Sequence, residues 1–225
     1  MKVCPRKFCL NRWRVTKNLF ISFEGGEGVG KTTLLTGLAS RLEGRDADVV
    51  CTREPGGTPI AEALRNVLLD PTFNEEDASP TTEALILAAA RRNHVEQKIE
   101  PALKHGSWVL CDRYIDSTRA YQGSRISASD LGKIETLATG GLLPDLTILL
   151  DAEPSDLLER RQQRGQNTDR FERRSIDYHR TVRKRFLDIA SAEPHRIVVL
   201  NALQTPSELI DAADAIITSS IMKAG

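Results

Sequence analysis

Short apolar runs alternate with longer amphipathic segments along most of the chain. The apolar runs predict five β-strands, at 19–23, 47–51, 108–111, 146–150 and 196–200. Apolar residues at helical spacing predict helices at 32–42, 60–69, 82–103, 131–138, 155–164, 176–190 and 206–217. Strands that alternate with helices are typical of a parallel sheet with helices on both faces. The pattern therefore predicts a three-layer α/β fold with a five-stranded parallel sheet.

The chain is long enough for one such domain. Its 225 residues can bury one large core, and neither a repeat nor a linker divides residues 19–222. Residues 1–18 differ, because their charged side chains are all basic and the first acidic residue of the chain is Glu24. They also lack the apolar periodicity that would pack them against a core. We expect a flexible basic extension over 1–18 and a single domain over 19–222.

The overall charge argues against nucleic acid and membranes as partners. Lys plus Arg and Asp plus Glu each number 31, so any phosphate-binding patch must be local. No apolar run approaches the roughly 20 residues of a membrane helix, and we expect no secretory signal. The four cysteines match no usual zinc spacing and suit a reducing compartment. We therefore expect a cytoplasmic protein.

A glycine-rich loop follows the first predicted strand. Residues 25–32 fit the phosphate-loop pattern G-x-x-x-x-G-K-[ST], with a strand before them and a helix after them. Glycines let successive backbone N–H groups converge on phosphate oxygens, and the positive end of the helix points at the same oxygens. Lys31 adds a positive charge at the β and γ positions. The residues expected to bind the phosphates of ATP are Gly25, Gly26, Glu27, Gly28, Val29, Gly30, Lys31 and Thr32.

A magnesium ion at this loop needs an anionic ligand. Asp112 and Asp151 each end an apolar predicted strand, and ligands collect at the carboxyl ends of strands in open α/β sheets. Asp112 is the better candidate, because Arg113 follows it directly. The two residues together place a metal-binding carboxylate beside a phosphate-binding guanidinium. We expect Asp112 and the Thr32 hydroxyl to help bind Mg²⁺.

An arginine-rich polar segment follows the fourth predicted strand. It contains Arg160, Arg161, Arg164, Arg170, Arg173 and Arg174. Planar guanidinium groups bind phosphate oxygens, and their closure over a site excludes water. No Asn-Lys-x-Asp element for guanine recognition occurs, so the pattern favours a small kinase with a mobile lid over a GTPase. The alternative is a solvated charged face in which Glu159, Asp169 and Glu172 pair with the arginines.

Five motifs resemble those of bacterial thymidylate kinases. They are EGGEGVGKTT at 24–33, TREPGGT at 52–58, DRY at 112–114, AYQG at 120–123 and DRFE at 169–172. The second motif is close to diagnostic, and the resemblance extends from Leu19 to the last helix. It implies the P-loop kinase fold, phosphoryl transfer from ATP to dTMP with Mg²⁺, and a homodimer.

The resemblance also implies roles for individual residues at the acceptor. Arg91 and Arg113 bind its monophosphate, and Arg53 lies in the loop that lines this region. Glu27 and Tyr121 face its sugar, where the missing 2′-hydroxyl is sensed. The residues near its base are Thr118 and Gln122.

At the transferred phosphoryl group, the resemblance implies that the lid supplies a positive charge, because the phosphate loop contains no arginine. Arg164 matches the position that performs this role in lid-arginine members. Arg160, one helical turn away, is the next candidate. Glu172 is implied as a further residue near Mg²⁺.

Leu87 departs from the family pattern. Members of the family usually have a phenylalanine at this position that stacks on thymine, whereas an aliphatic side chain covers the base without stacking. This leaves another pyrimidine monophosphate, or a deoxynucleoside, as an alternative acceptor. A nucleotide-binding regulatory protein without catalysis is a third interpretation, and the intact Lys31, Thr32, Asp112 and Arg113 argue against it.

Overall fold

A parallel sheet lies at the centre of the computed structural model, which describes residues 18–70, 72, 78–157 and 174–224. Its strands are β1 (Phe20–Gly25), β2 (Val49–Arg53), β3 (Trp108–Asp112), β4 (Leu146–Asp151) and β5 (Ile197–Asn201). They are arranged in the order β2-β3-β1-β4-β5, and every neighbouring pair is parallel. The five-stranded parallel sheet predicted from the sequence is therefore confirmed.

Helices connect these strands on both faces of the sheet. Within the described residues they are α1 (Lys31–Glu43), α2 (Pro59–Leu69), α3 (Pro80–His94), α4 (Glu100–Lys104), α5 (Ile115–Tyr121), α6 (Ala128–Thr139), α7 (Ile176–Ala192) and α8 (Pro206–Ala224). Side-chain hydroxyls begin four of them, because Thr58, Ser79, Ser127 and Ser175 each accept a backbone N–H three residues later. None of the helices in the part of the chain described here is long and apolar enough to cross a membrane.

The predicted helix over 82–103 contains a change of helical geometry. A π-helical turn at Val95–Ile99 separates α3 from α4. Pro101 has no N–H to donate and its ring crowds the preceding turn, and the wider turn accommodates both effects. The predicted helix over 155–164 is described only at its start, where Pro154–Leu157 form a 3₁₀ turn. Residues 158–164 lie outside the described residues.

The core explains why the central strands are mostly apolar. Every residue of β1 is buried, because α1 and α8 cover one face of the sheet, while Val95, Ile99 and the start of α5 pack against Phe20 on the other. Phe23 of β1 lies opposite Asp112 of β3 in the parallel register. The loop that follows β1 therefore emerges beside the carboxyl end of β3, and this juxtaposition creates the candidate site.

Candidate active site

The phosphate loop leaves β1 in a conformation that requires glycine. Gly25, Gly28 and Gly30 have φ angles of 132°, 80° and 99°. A Cβ atom at Gly25 would collide with the carbonyl oxygen of Leu150 on the neighbouring strand. Gly30 is followed directly by Lys31, the first residue of α1, so the loop ends on the N–H groups of a helix N-terminus.

Lys31 is buried in this loop, with 7% of its surface exposed. Its Nζ donates to the carbonyl oxygens of Gly25 and Gly26 at 3.2 and 2.8 Å. Burial lowers the pKa of Lys31, as does the charge of Arg113, while nearby carboxylates, including that of Asp112, raise it. The cation is thus held at the loop by neutral carbonyl groups, which an anionic ligand can replace.

Thr32 and Asp112 converge beside Lys31. The Thr32 hydroxyl donates to Asp112 Oδ2 at 2.9 Å. A hydroxyl and a carboxylate fit Mg²⁺, which takes few protein ligands and keeps waters and phosphate oxygens for the remainder. No cluster of three or more His, Cys, Asp or Glu residues that could hold a metal occurs among the described residues, which leaves this two-oxygen arrangement as the candidate. Glu172, the other expected residue near Mg²⁺, lies outside the described residues.

Asp151, the alternative strand-end carboxylate, has another partner. Arg183 of α7 donates to both of its oxygens, at 2.8 and 3.0 Å. Its side chain therefore anchors α7 to the sheet, whereas Asp112 faces the phosphate loop.

Arg113 joins the phosphate loop to Tyr121 of α5. Its φ of 70° turns the backbone directly after β3. One guanidinium nitrogen donates to Glu27 Oε1 at 2.5 Å, and the other donates to the Gly25 carbonyl oxygen at 3.0 Å. Tyr121 also donates to Glu27 Oε1, at 3.2 Å, and burial raises the pKa of Tyr121, so its hydroxyl stays a neutral donor. Glu27, Arg113 and Tyr121 thus form one cluster. The resemblance had implied that Glu27 and Tyr121 lie together.

Two cavities adjoin this cluster. The phosphate-loop cavity is lined by Lys31, Thr32 and Asp112, and a second cavity shares Glu27 and Arg113 with it. The acceptor-site residues expected from the sequence that line the second cavity are Glu27, Leu87, Arg91, Arg113, Thr118, Tyr121 and Gln122. Arg53 does not line this cavity. It lies on the rim of the phosphate-loop cavity, where it donates to both oxygens of Glu62 at 2.9 and 3.0 Å.

Arg91 is the most deeply buried cation of the second cavity, with 3% of its surface exposed. It donates to Glu54 Oε2 at 2.6 Å, to Thr118 Oγ1 at 3.0 Å and to the carbonyl oxygen of Tyr114 at 3.0 Å. Arg113 borders both cavities, whereas Arg91 borders only this one. Arg91 is therefore grouped with Thr118, a residue expected near the base.

The five motifs and this geometry agree with what comparison with known proteins shows. A family model described as thymidylate kinase matches residues 23–212. The chain belongs to the thymidylate kinase family. It is similar to a thymidylate kinase of Symbiobacterium thermophilum, with 46% identity over 194 residues that cover 85% of this chain and 89% of that protein. It is also similar to a thymidylate kinase of Caulobacter vibrioides, with 44% identity over 211 residues that cover 93% of this chain and 98% of that protein.

Membership of the thymidylate kinase family confirms the resemblance inferred from the motifs, and with it the assignment as a kinase and phosphotransferase. A third relative, a thymidylate kinase of Magnetococcus marinus, is 43% identical over 195 residues, which cover 86% of this chain and 91% of that protein. Of the arginines in the expected lid, all but Arg174 lie outside the described residues, Arg160 and Arg164 among them, so their roles remain predictions.

Arg65 is a site residue that the motifs did not identify. It lies on α2, borders both cavities and donates to the carbonyl oxygen of Pro55 at 3.0 Å. Its signal in the sequence is a cation within an apolar helix that begins directly after the TREPGGT motif.

Glu54 and His94 form a buried network behind Arg91 that the sequence also did not reveal. Glu54 Oε1 lies 3.0 Å from His94 Nδ1, and the other ring nitrogen, Nε2, lies 2.7 Å from Thr52 Oγ1. Arg91 and His94, the two partners of the Glu54 carboxylate, are both buried. Glu54 therefore holds Arg91 in place through a short buried ion pair.

Proposed function

We propose that this chain transfers the terminal phosphoryl group of ATP to dTMP and forms ADP and dTDP. The observation that carries the proposal is that two cavities share one wall. The phosphate-loop cavity and the cavity lined by Leu87 and Gln122 are both bordered by Glu27, Arg65 and Arg113. Two phosphate-bearing ligands, one in each cavity, would therefore meet at the same pair of cations.

On the donor side, the loop amides and Lys31 would bind the phosphates of ATP. Phosphate oxygens would replace the carbonyl acceptors of Lys31, and hydrogen bonds to charged oxygens are stronger. Thr32 and Asp112 would hold Mg²⁺, which neutralises phosphate charge when bound. Phosphoryl transfer requires positioning and charge stabilisation more than covalent chemistry, so we assign no general base.

On the acceptor side, Arg65 and Arg113 would bind the monophosphate. A phosphate monoester carries about two negative charges at neutral pH, which two guanidinium groups can neutralise with paired hydrogen bonds. Glu27 and Tyr121 lie directly beside Arg113, and we propose that they contact the sugar and sense the absence of a 2′-hydroxyl.

The remaining residues of the second cavity would recognise the base. The bond from Arg91 to Thr118 favours a role for Arg91 at the base edge rather than at the phosphate, where the resemblance placed it. Leu87 would cover the face of the ring, and Gln122 would contact its edge. Because Leu87 cannot stack on the ring, another pyrimidine monophosphate is the second candidate acceptor.

The lid and the assembly complete the proposal. We propose that Arg164, or else Arg160, neutralises the phosphoryl group during transfer, and that Glu172 contributes near Mg²⁺. A homodimer that works in the cytoplasm, as the family implies, also stays a prediction.

The proposal is tested by steady-state rates with ATP and Mg²⁺ and a panel of acceptors: dTMP, dUMP, dCMP, UMP and thymidine. We expect the highest kcat/KM for dTMP, and no comparable rate with thymidine, which lacks the phosphate that Arg65 and Arg113 would bind. Lys31→Met should abolish transfer, and its matched control is Lys104→Met, at an exposed lysine that pairs with Glu100 one helical turn away. A panel in which dTMP is not the preferred acceptor would overturn the proposal.

A further inference from the structure

Two buried polar side chains meet beside the second cavity. Glu83, in the first turn of α3, and Gln122, at the end of α5, are each 1% exposed. Gln122 Nε2 donates to Glu83 Oε2 at 3.2 Å. The other end of the amide, Gln122 Oε1, has no hydrogen-bond partner in the part of the chain that the structure describes. A buried acceptor without a partner destabilises the protein, and a ligand in the cavity that donates to it removes this cost.

The contact with Glu83 fixes which end of the amide faces the cavity. A glutamine side chain offers two donors at one end and one acceptor at the other, whereas a carboxylate offers only acceptors. Glu83 can therefore pair with the NH₂ end of Gln122 alone. The carbonyl end is left as the acceptor for a ligand, and Gln122 lines the same cavity as Leu87, Arg91 and Thr118.

This arrangement matches one class of pyrimidine. Thymine and uracil carry an N–H donor at N3 beside a carbonyl acceptor at position 4, whereas cytosine carries an acceptor at N3 beside an amino donor. An acceptor from Gln122 and a guanidinium donor from Arg91, which line the same cavity, would complement the first pattern. Cytosine would place its N3 lone pair against the Gln122 oxygen and its amino group against a cation. A site that leaves buried polar groups mispaired rejects the wrong ligand strongly.

We propose that Glu83 is a positioning residue that selects keto pyrimidines over cytosine by holding the amide of Gln122 with its oxygen toward the base. The inference rests on the proposed function, because it requires that a pyrimidine monophosphate occupies the second cavity. Glu83 itself makes no contact with the substrate in this arrangement and acts only through Gln122.

The test is the ratio of kcat/KM for dTMP to that for dCMP in Glu83→Gln. The new amide can donate to Gln122, so the Gln122 amide can turn its NH₂ end to the cavity. We expect the ratio to fall by about tenfold or more, since one mispaired hydrogen bond at a base edge is worth about that factor. A merely structural role for Glu83 would lower both rates together and leave the ratio unchanged, and that result would overturn the inference.

Two further variants complete the experiment. Glu96→Gln, at an exposed glutamate paired with Arg92 on the same helical segment, is the matched control and should keep the wild-type ratio. Gln122→Met removes the acceptor, and in that background Glu83→Gln should have no additional effect on the ratio. If Glu83→Gln does not fold, an unchanged ratio in Gln122→Met overturns the inference by itself. Failure of the proposed function is distinguishable, because wild type would then not phosphorylate dTMP at all.

Discussion

Glu24 gives the sheet a pH-dependent stability that one substitution should remove. It lies on β1 with none of its surface exposed, and it accepts the N–H of Tyr114 at 2.8 Å, the N–H of Ser117 at 3.2 Å and the Ser117 hydroxyl at 2.6 Å. Burial, with the charge of Asp116 as the next cause, raises the pKa of Glu24 to about 7 from an ordinary 4.5. The hydrogen bonds and Arg113 act in the opposite direction but are outweighed.

The sign of the effect follows from proton binding. Between pH 4.5 and 7 the carboxyl of Glu24 is ionised in the unfolded chain and protonated in the native protein, so raising the pH favours unfolding. The contribution is fully present below pH 4.5 and is lost by pH 7. The two pKa values differ by about 2.5 pH units, and at about 1.4 kcal/mol per unit the native state loses on the order of 3 kcal/mol.

Glu24→Gln stays neutral at every pH and keeps the shape of the side chain. The free energy of unfolding of the variant minus that of wild type should therefore rise by about 2.5 kcal/mol between pH 5 and pH 8. Urea unfolding at pH 5, 6, 7 and 8 measures this difference, with Glu96→Gln, at an exposed site, as the control substitution. A difference that stays flat with pH would refute the reasoning, because it would mean that the hydrogen bonds and the charge of Arg113 fully offset the effect of burial on the pKa of Glu24.

Three further predictions concern the site. Lys31→Met should abolish transfer with the melting temperature retained, while Lys104→Met keeps both; wild-type turnover in Lys31→Met would contradict the role of the phosphate loop. Leu87→Phe should tighten dTMP binding by up to about tenfold, because an aromatic pair adds about 0.5–1.5 kcal/mol beyond burial, and calorimetry that finds no change means that another side chain already covers the base. Arg164→Ala should lower kcat by about 10³-fold with little change in the KM for dTMP, whereas a raised KM at constant kcat would assign Arg164 to ground-state binding.

The parts of the site that could be predicted from the sequence are those encoded locally. The phosphate loop, its glycines and Lys31 lie in one short segment, so the spacing of the motif specifies their geometry. Asp112 could be placed because an apolar strand ends at it, and the parallel register of β1 and β3 brings it to Thr32. Such features can be predicted from a strand, a loop and a helix that follow one another along the chain.

The parts that could not be predicted depend on contacts between distant segments. Helix α5 begins in a polar stretch without a side-chain cap of its own, and its first N–H groups are accepted by Glu24, about 90 residues earlier in the chain. The grouping of Arg91 with Thr118, and the pairing of Glu83 with Gln122, likewise join α3 to α5 across long separations. Hydrophobic periodicity specifies which face of a helix is buried, but it does not specify which polar side chain of a distant segment contacts that face.

Transfer of isotope from the terminal phosphate of ATP to dTMP tests the central claim most directly. With terminally labelled ATP, Mg²⁺ and dTMP, we predict that wild type and Lys104→Met form dTDP that carries the label in its β-phosphate, and that Lys31→Met does not. Label that appears only as inorganic phosphate, with no labelled dTDP, would contradict the claim that the two cavities hold a donor and an acceptor nucleotide.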